Sequence, residues 1–318
     1  MIQTSTFKPL WYLKNPHLQT ILANIFHPPK PEINEETLEL PDGDFLELAW
    51  TKYRSDKTLI IMHGLEGSIK SSYAQRILNY CHRHQMAAVL LRFRGCGSNI
   101  NRKLRAYHSG ETEDLKQVIK HLKTRGVNHI ALLGYSLGGN VALKYMGEQI
   151  TDVTIKCAIS VSVPMLLDDC ANTMNLGFSR VYQRSLLNSL LKKLKQKQHL
   201  LQQQEKQYAD PDSIKNFVQF DDAFTAPIHG FQNAQDYYKK SSSRQFLGEI
   251  KKPTLIIHST DDPFMTEAVI PDSSELSDQI TLELSSNGGH VGFIGGGLIK
   301  PKSWLEPRIY QFLRQHFL

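Results

Sequence analysis

The 318 residues are 41% hydrophobic and 21% charged, with a formal net charge of +6; that is enough apolar material for a substantial core, and it excludes a disordered chain. The positive residues are scattered apart from 102–105 and 192–197, with no zinc-finger, RNP or helix-turn-helix pattern beside them, so no nucleic-acid partner is expected. The start has no basic region leading into an apolar core, no 18 apolar residues run together, and Cys81, Cys96, Cys157 and Cys170 form no CxxC pair; these point to the cytoplasm, with no transmembrane segment and no zinc site.

Residues 1–35, rich in aromatics and proline, read as an extended piece wrapping the main body. Leu38–Leu40 and Phe45–Trp50 alternate apolar and polar residues around Asp42-Gly43, the pattern of a β-hairpin. Thr58–His63 is a short apolar run ending at Gly64, which predicts a buried parallel strand and a loop. A helix over 72–84 and a strand over Ala87–Phe93 follow. The next helix is expected over Thr112–Arg125, with Thr112 as N-cap and Glu113 and Asp114 complementing the helix dipole.

Ile130–Leu133 reads as a strand, Gly138–Gly147 as a helix, and Cys157–Val163 as a strand closed by Pro164. Thr254–Ser259 and Ile280–Leu284 read as the last strands and Pro307–Phe317 as a terminal helix. Alternating strands and helices predict an α/β fold with a mostly parallel sheet covered on both faces. Residues 165–248 carry no strand pattern and are expected to be a helical cap inserted within one domain spanning 1–318. There Leu186, Leu187, Leu190, Leu191 and Leu194 form an apolar stripe, with Lys192, Lys193, Lys195 and Lys197 largely off it. The preferred reading packs the leucines inward and leaves the lysines in solvent; the same pattern permits peripheral contact with an anionic membrane.

The sharpest chemical signal is Gly134-Tyr135-Ser136-Leu137-Gly138-Gly139, set between a predicted strand and a predicted helix. That context belongs to a nucleophile elbow, with Ser136 on a strained turn that its glycines let the chain make. A serine hydroxyl needs a general base, and in such folds the chain order is serine, acid, histidine. Of the candidates beyond the cap, His258 lies in a strand and His316 in the terminal helix. His290 lies in the glycine-flanked loop Asn287-Gly288-Gly289-His290-Val291-Gly292 after the last strand, and is the expected base. The acid is expected after Thr254–Ser259, where Asp262 is preferred and Asp261 is the alternative. Oxyanion donors are expected from the backbone N–H groups of Leu137 and Leu65, the latter in His63-Gly64-Leu65-Glu66-Gly67-Ser68; His63 is read as supporting the loop. This chemistry calls for no metal or cofactor.

The whole chain resembles the YheT-like branch of the α/β-hydrolases, related to plant EMB proteins and animal abhydrolase-domain lipid hydrolases. The matching segments are Asn15-Pro16-His17-Leu18-Gln19-Thr20, 63–68, Phe93-Arg94-Gly95-Cys96, 107–115, 134–139, 261–264, and 221–250 with Asp236-Tyr237-Tyr238. The resemblance implies hydrolysis of short acyl esters or monoacylglycerols and supports Ser136, Asp262 and His290. Other readings are a thioesterase or amidase using the same three residues, or a non-catalytic scaffold binding a lipid or partner. Arg94, His108 and Glu111 are read as pinning loops and capping a helix, with lining the site as the alternative, and Tyr237 and Tyr238 as cap packing or an acyl-binding wall.

Overall fold

The computed structural model describes residues 1–25, 28–204, 207–296 and 301–318. The elements are β1 (Ile2–Thr4), α1 (Pro16–Ile25), β2 (Asn34–Glu39), β3 (Phe45–Trp50), β4 (Lys57–Met62), α2 (Ser72–Arg83), β5 (Ala88–Arg92), α3 (Glu113–Thr124), β6 (His129–Tyr135), α4 (Leu137–Glu148) and β7 (Ile155–Val161). Then come α5 (Leu167–Thr173), α6 (Ser179–Gln196), α7 (Gln198–Gln202), α8 (Phe217–Phe220), α9 (Ala226–Ile228) and α10 (Ala234–Ser241). The chain closes with β8 (Thr254–Ser259), β9 (Ile280–Ser285), β10 (Ile294–Gly296), β11 (Pro301–Ser303) and α11 (Leu305–His316).

Nine strands form one sheet in the order β1-β9-β8-β7-β6-β4-β5-β3-β2. It is parallel from β1 to β5, while β3 runs antiparallel to β5 and β2 to β3. The central strands are apolar almost throughout because both faces are covered. Along β6, Ile130 and Leu132 join the core on one face, and Ala131, Leu133 and Tyr135 the core on the other. The parallel register brings the carboxyl ends of β4, β6, β8 and β9 to one edge, where ligands of open α/β sheets bind.

Between β7 and β8 the described residues form helical turns and no strand, and they carry a separate apolar cluster that includes Leu187, Leu194, Phe217, Phe224 and Tyr238. Within it, Asp221–Thr225 forms one π-helical turn.

Three expectations need correction. Residues 1–35 do not simply wrap the body. Ile2–Thr4 adds an edge strand beside β9, and Pro16–Ile25 is a helix. Asn15 Oδ1 accepts from the His17 and Leu18 N–H groups, so Asn15-Pro16 is a local start signal: a capping side chain, then a proline whose missing N–H costs nothing there. Thr112 does not cap α3. Its hydroxyl donates to Glu148, and the Glu111 carboxylate instead accepts from the Glu113 and Asp114 N–H groups. Nor are the cap lysines all solvated. Lys193 reaches Glu66 (2.8 Å), and Lys197 is buried, donating to Asn101 Oδ1 and the Lys103 carbonyl; burial pushes the Lys197 ammonium down to about 8.

Candidate active site

Ser136 sits between β6 and α4 with φ 51° and ψ −119°, a conformation that costs a residue with a side chain on the order of 1–3 kcal/mol. The glycines around it answer to space. A Cβ on Gly134 would stand 2.2 Å from the Gly138 carbonyl oxygen, and one on Gly138 2.6 Å from the Met62 and His63 carbonyls. The elbow thus packs backbone against backbone and lifts Ser136 Oγ off the sheet edge.

Ser136 Oγ lies 2.9 Å from His290 Nε2, and His290 Nδ1 lies 2.8 Å from Asp262 Oδ2. The other Asp262 oxygen accepts from the Phe264 N–H at 2.9 Å. The Phe264 ring stacks on the imidazole, centroids 3.9 Å apart and planes 10° from parallel. Asp261 faces elsewhere. It accepts from Ser259 and, at 2.9 Å, from the Gly289 N–H, tying down the loop that carries His290.

Helix α1 holds the same loop. Thr20 Oγ1 accepts from the His290 N–H (2.9 Å), and Gln19 Oε1 from the Ile294 N–H (2.8 Å), while Gln19 Nε2 donates to the Leu13 and Ile294 carbonyls. Ser162 Oγ takes the Val291 N–H at 3.0 Å. Gln19 and Thr20 stand in the segment 15–20 noted for its resemblance, yet nothing local to it reveals a task some 270 residues away.

The loop after β4 comes close to Ser136: a Cβ on Gly64 would be 3.2 Å from the Ser136 Cβ. The N–H groups on either side of Leu65 are taken, Gly64 N by Tyr73 Oη (2.9 Å) and Glu66 N by Tyr107 Oη (2.7 Å). Leu65 is held between two anchored neighbours. Leu137 begins α4, where an N–H has no partner inside the helix. His63 supports this loop. Its Nε2 accepts from the Phe93 N–H (3.1 Å), which leaves Nδ1–H to donate to the Gly64 carbonyl (2.7 Å). Burial holds its pKa down to about 4, so it stays neutral.

Sequence reasoning assigned Glu66 no task. Its backbone has φ 55°, and its buried carboxylate accepts from Tyr107 Oη, Ser189 Oγ and Lys193 Nζ, the last two on α6. The cap helix is therefore bolted to the residue beside Leu65. Lys193→Met leaves a buried carboxylate short of its cation, and it is expected to lower kcat about tenfold by shifting Leu65, the expected oxyanion donor. KM should stay within about twofold, with Lys193→Arg restoring most of the rate. A change in KM alone would reduce the pair to cap packing.

Two cavities meet at Ser136. One, about 110 Å³, runs under the cap and is lined by apolar groups such as Leu167, Met174, Phe217 and Phe220, with Tyr237 and Tyr238 on its wall. The other, about 250 Å³, lies on the His290 side between α1 and α6, beside Thr20, Asn24, Tyr182 and Ser185. Arg94 makes a paired contact with Asp114 and also meets Asp42 and Asp44, a buried structural network. His108, Glu111 and His229 cluster nearby. His108 Nδ1 accepts from the Gly110 N–H, so its Nε2 keeps the proton and faces Glu111, which Arg105 already engages; a metal ligand set fits these roles poorly. Burial pushes the Cys96 thiol up to about 11, which suits packing and not attack.

Residues 57–296 match the family described as the alpha/beta hydrolase fold. The chain is 41% identical to YheT of Escherichia coli K12, provisionally named an esterase, over 98% of this chain and 93% of that one. It is 31% identical to a monoacylglycerol lipase of Saccharomyces cerevisiae over 80% of this chain and 58% of that protein. It is 28% identical to the embryogenesis-associated protein EMB8 of Picea glauca over 95% and 70%. Among solved structures, the Pyrococcus furiosus esterase Pf2001 superposes with a TM-score of 0.58 at 18% identity, covering 90% of this chain and 93% of that one, a likeness of fold.

Proposed function

The chain belongs to the α/β-hydrolase family and is a carboxylic ester hydrolase of the esterase and lipase type, and from that premise we propose that it cleaves short-chain acyl esters or monoacylglycerols through an acyl-enzyme on Ser136. The observation that carries the reading is the continuous line Ser136 Oγ–His290–Asp262 at 2.9 and 2.8 Å, opening on an apolar cavity of about 110 Å³.

In this reading Ser136 Oγ attacks the ester carbonyl as His290 Nε2 takes its proton. Asp262 keeps the other ring proton on Nδ1 and stabilises the imidazolium. The Leu65 and Leu137 N–H groups meet the negative charge developing on the carbonyl oxygen. His290 then protonates the leaving alcohol, and a water activated by the same imidazole hydrolyses the acyl–Ser136 ester. The acyl group lies under the cap formed by 165–248 within the single domain 1–318, and the leaving alcohol lies in the larger cavity beside α1. Among the described residues no helix is long and apolar enough to cross a membrane. Four unpaired cysteines, three of them buried, suit a cytoplasmic enzyme.

The cavity sets the acyl length. A volume near 110 Å³ is smaller than the roughly 150 Å³ that admits a benzene ring, so it takes acyl groups of about four carbons. Initial rates on p-nitrophenyl esters from acetate to palmitate should peak near butyrate, with the long chains about tenfold or more slower. A maximum at palmitate would reject the short-chain assignment, and rates equal in wild type and Ser136→Ala would reject the esterase mechanism.

A further inference from the structure

The wall of the acyl cavity carries one group that a plain alkyl chain cannot use. Asp221 opens the π-helical turn Asp221–Thr225 and lines the same cavity as Ser136. Single π-helical turns occur frequently at functional sites. The carboxylate accepts one hydrogen bond on each oxygen, from Thr225 Oγ1 and from Tyr238 Oη, both at 2.7 Å. Neither donor carries a charge, and among the described residues Asp221 forms no salt bridge. Two donors fill about half of the acceptor sites of a carboxylate.

An unneutralised carboxylate beside Leu167, Met174, Phe217 and Phe220 is costly to bury. The cost shows in the acid itself, which burial pushes up to about 6 despite its two hydrogen bonds. The carboxylate satisfies the Thr225 and Tyr238 hydroxyls, and those two bonds leave acceptor sites over for a further donor. Sites that place a buried polar group against the substrate discriminate by it: a ligand that supplies the missing partner is favoured over an isostere that does not.

We propose that Asp221 is a specificity residue of the acyl cavity, and that the preferred substrates are esters of hydroxyacyl groups whose hydroxyl donates to its carboxylate. This rests on the esterase reading of Ser136 and deepens it by naming the acyl class. A hydroxyl fits better than an ammonium. The carboxylate already leans on two neutral donors, and a third neutral donor enters a small apolar cavity at a far lower desolvation cost than a cation. Ser136 and Asp221 line the same cavity, so an acyl chain held on Ser136 extends along the wall that carries the carboxylate.

The test compares matched ethyl esters by pH-stat: butanoate against 3-hydroxybutanoate, and hexanoate against 6-hydroxyhexanoate. In the wild type at least one hydroxy ester should exceed its alkyl partner in kcat/KM by about tenfold, the effect of a hydrogen bond to a charged group. Asp221→Leu should invert that ratio, and Asp221→Asn should reduce it. If both hydroxy esters are slower than their alkyl partners in the wild type, the inference fails while the esterase reading stands. It fails in the same way if Asp221→Leu keeps the wild-type preference. The wild-type comparison needs no variant to fold. If no ester of either kind is cleaved faster by wild type than by Ser136→Ala, both readings fall together.

Discussion

Ser136→Ala should lower kcat on p-nitrophenyl butyrate by about 10⁶-fold, with the protein still folded. The size follows from the arrangement: Ser136 Oγ is the group 2.9 Å from His290 Nε2 and the proposed point of covalent attack. Removing such a nucleophile leaves only the proposed oxyanion donors and binding, and in serine hydrolases the catalysis that remains is roughly 10³–10⁴ over water, about 10⁶-fold below the intact enzyme. The fold is spared because alanine bears the same backbone strain at φ 51° as serine. Ser136→Gly makes the sharper comparison. It relieves the strain, so its melting temperature should rise while its activity stays as low as that of the alanine variant. Rates and thermal unfolding on the three proteins check this; residual activity above about 1% in either variant would rule Ser136 out as nucleophile.

Asp262→Asn should cost about 10⁴-fold in kcat, and the reason lies in one backbone contact. The Phe264 N–H donates to Asp262 Oδ1 at 2.9 Å, so an asparagine there turns its carbonyl oxygen toward Phe264. Its NH2 group then faces His290 Nδ1, which becomes an acceptor. The ring proton moves to Nε2, opposite Ser136 Oγ, where a base is needed. Asp261→Asn should cost only about tenfold, because Asp261 anchors the Gly289 N–H and does not touch the imidazole. Initial rates of the two variants side by side decide between the neighbouring carboxylates; a larger loss in Asp261→Asn would exchange their roles.

Much of this was legible along the chain because it is written in short-range patterns. A parallel strand covered on both faces must be an apolar run, and β4, β6, β7 and β8 are. An elbow that packs backbone on backbone must be glycine-rich, which marked Ser136. The chain order of the loops after β8 and β9 narrowed the partners to His290 and one of two adjacent aspartates.

What only the tertiary structure decided depends on which groups meet through space. Asp261 and Asp262 are equivalent as sequence, and the turn after β8 points one at the His290 ring and the other at its loop. Thr112 and Glu111 are both plausible caps for α3, and Glu148 on α4 draws the threonine hydroxyl away. Lys197 looks like a solvent lysine until the carbonyl of Lys103 closes over it. Gln19 and Thr20 hold the histidine loop from the other end of the chain, and Glu66 joins the loop of Leu65 to the cap through Ser189 and Lys193. Periodicity records which face of an element is buried, because burial recurs with the repeat of the helix or strand. The partner of a single polar side chain has no such repeat, and it is settled only when distant segments fold against one another.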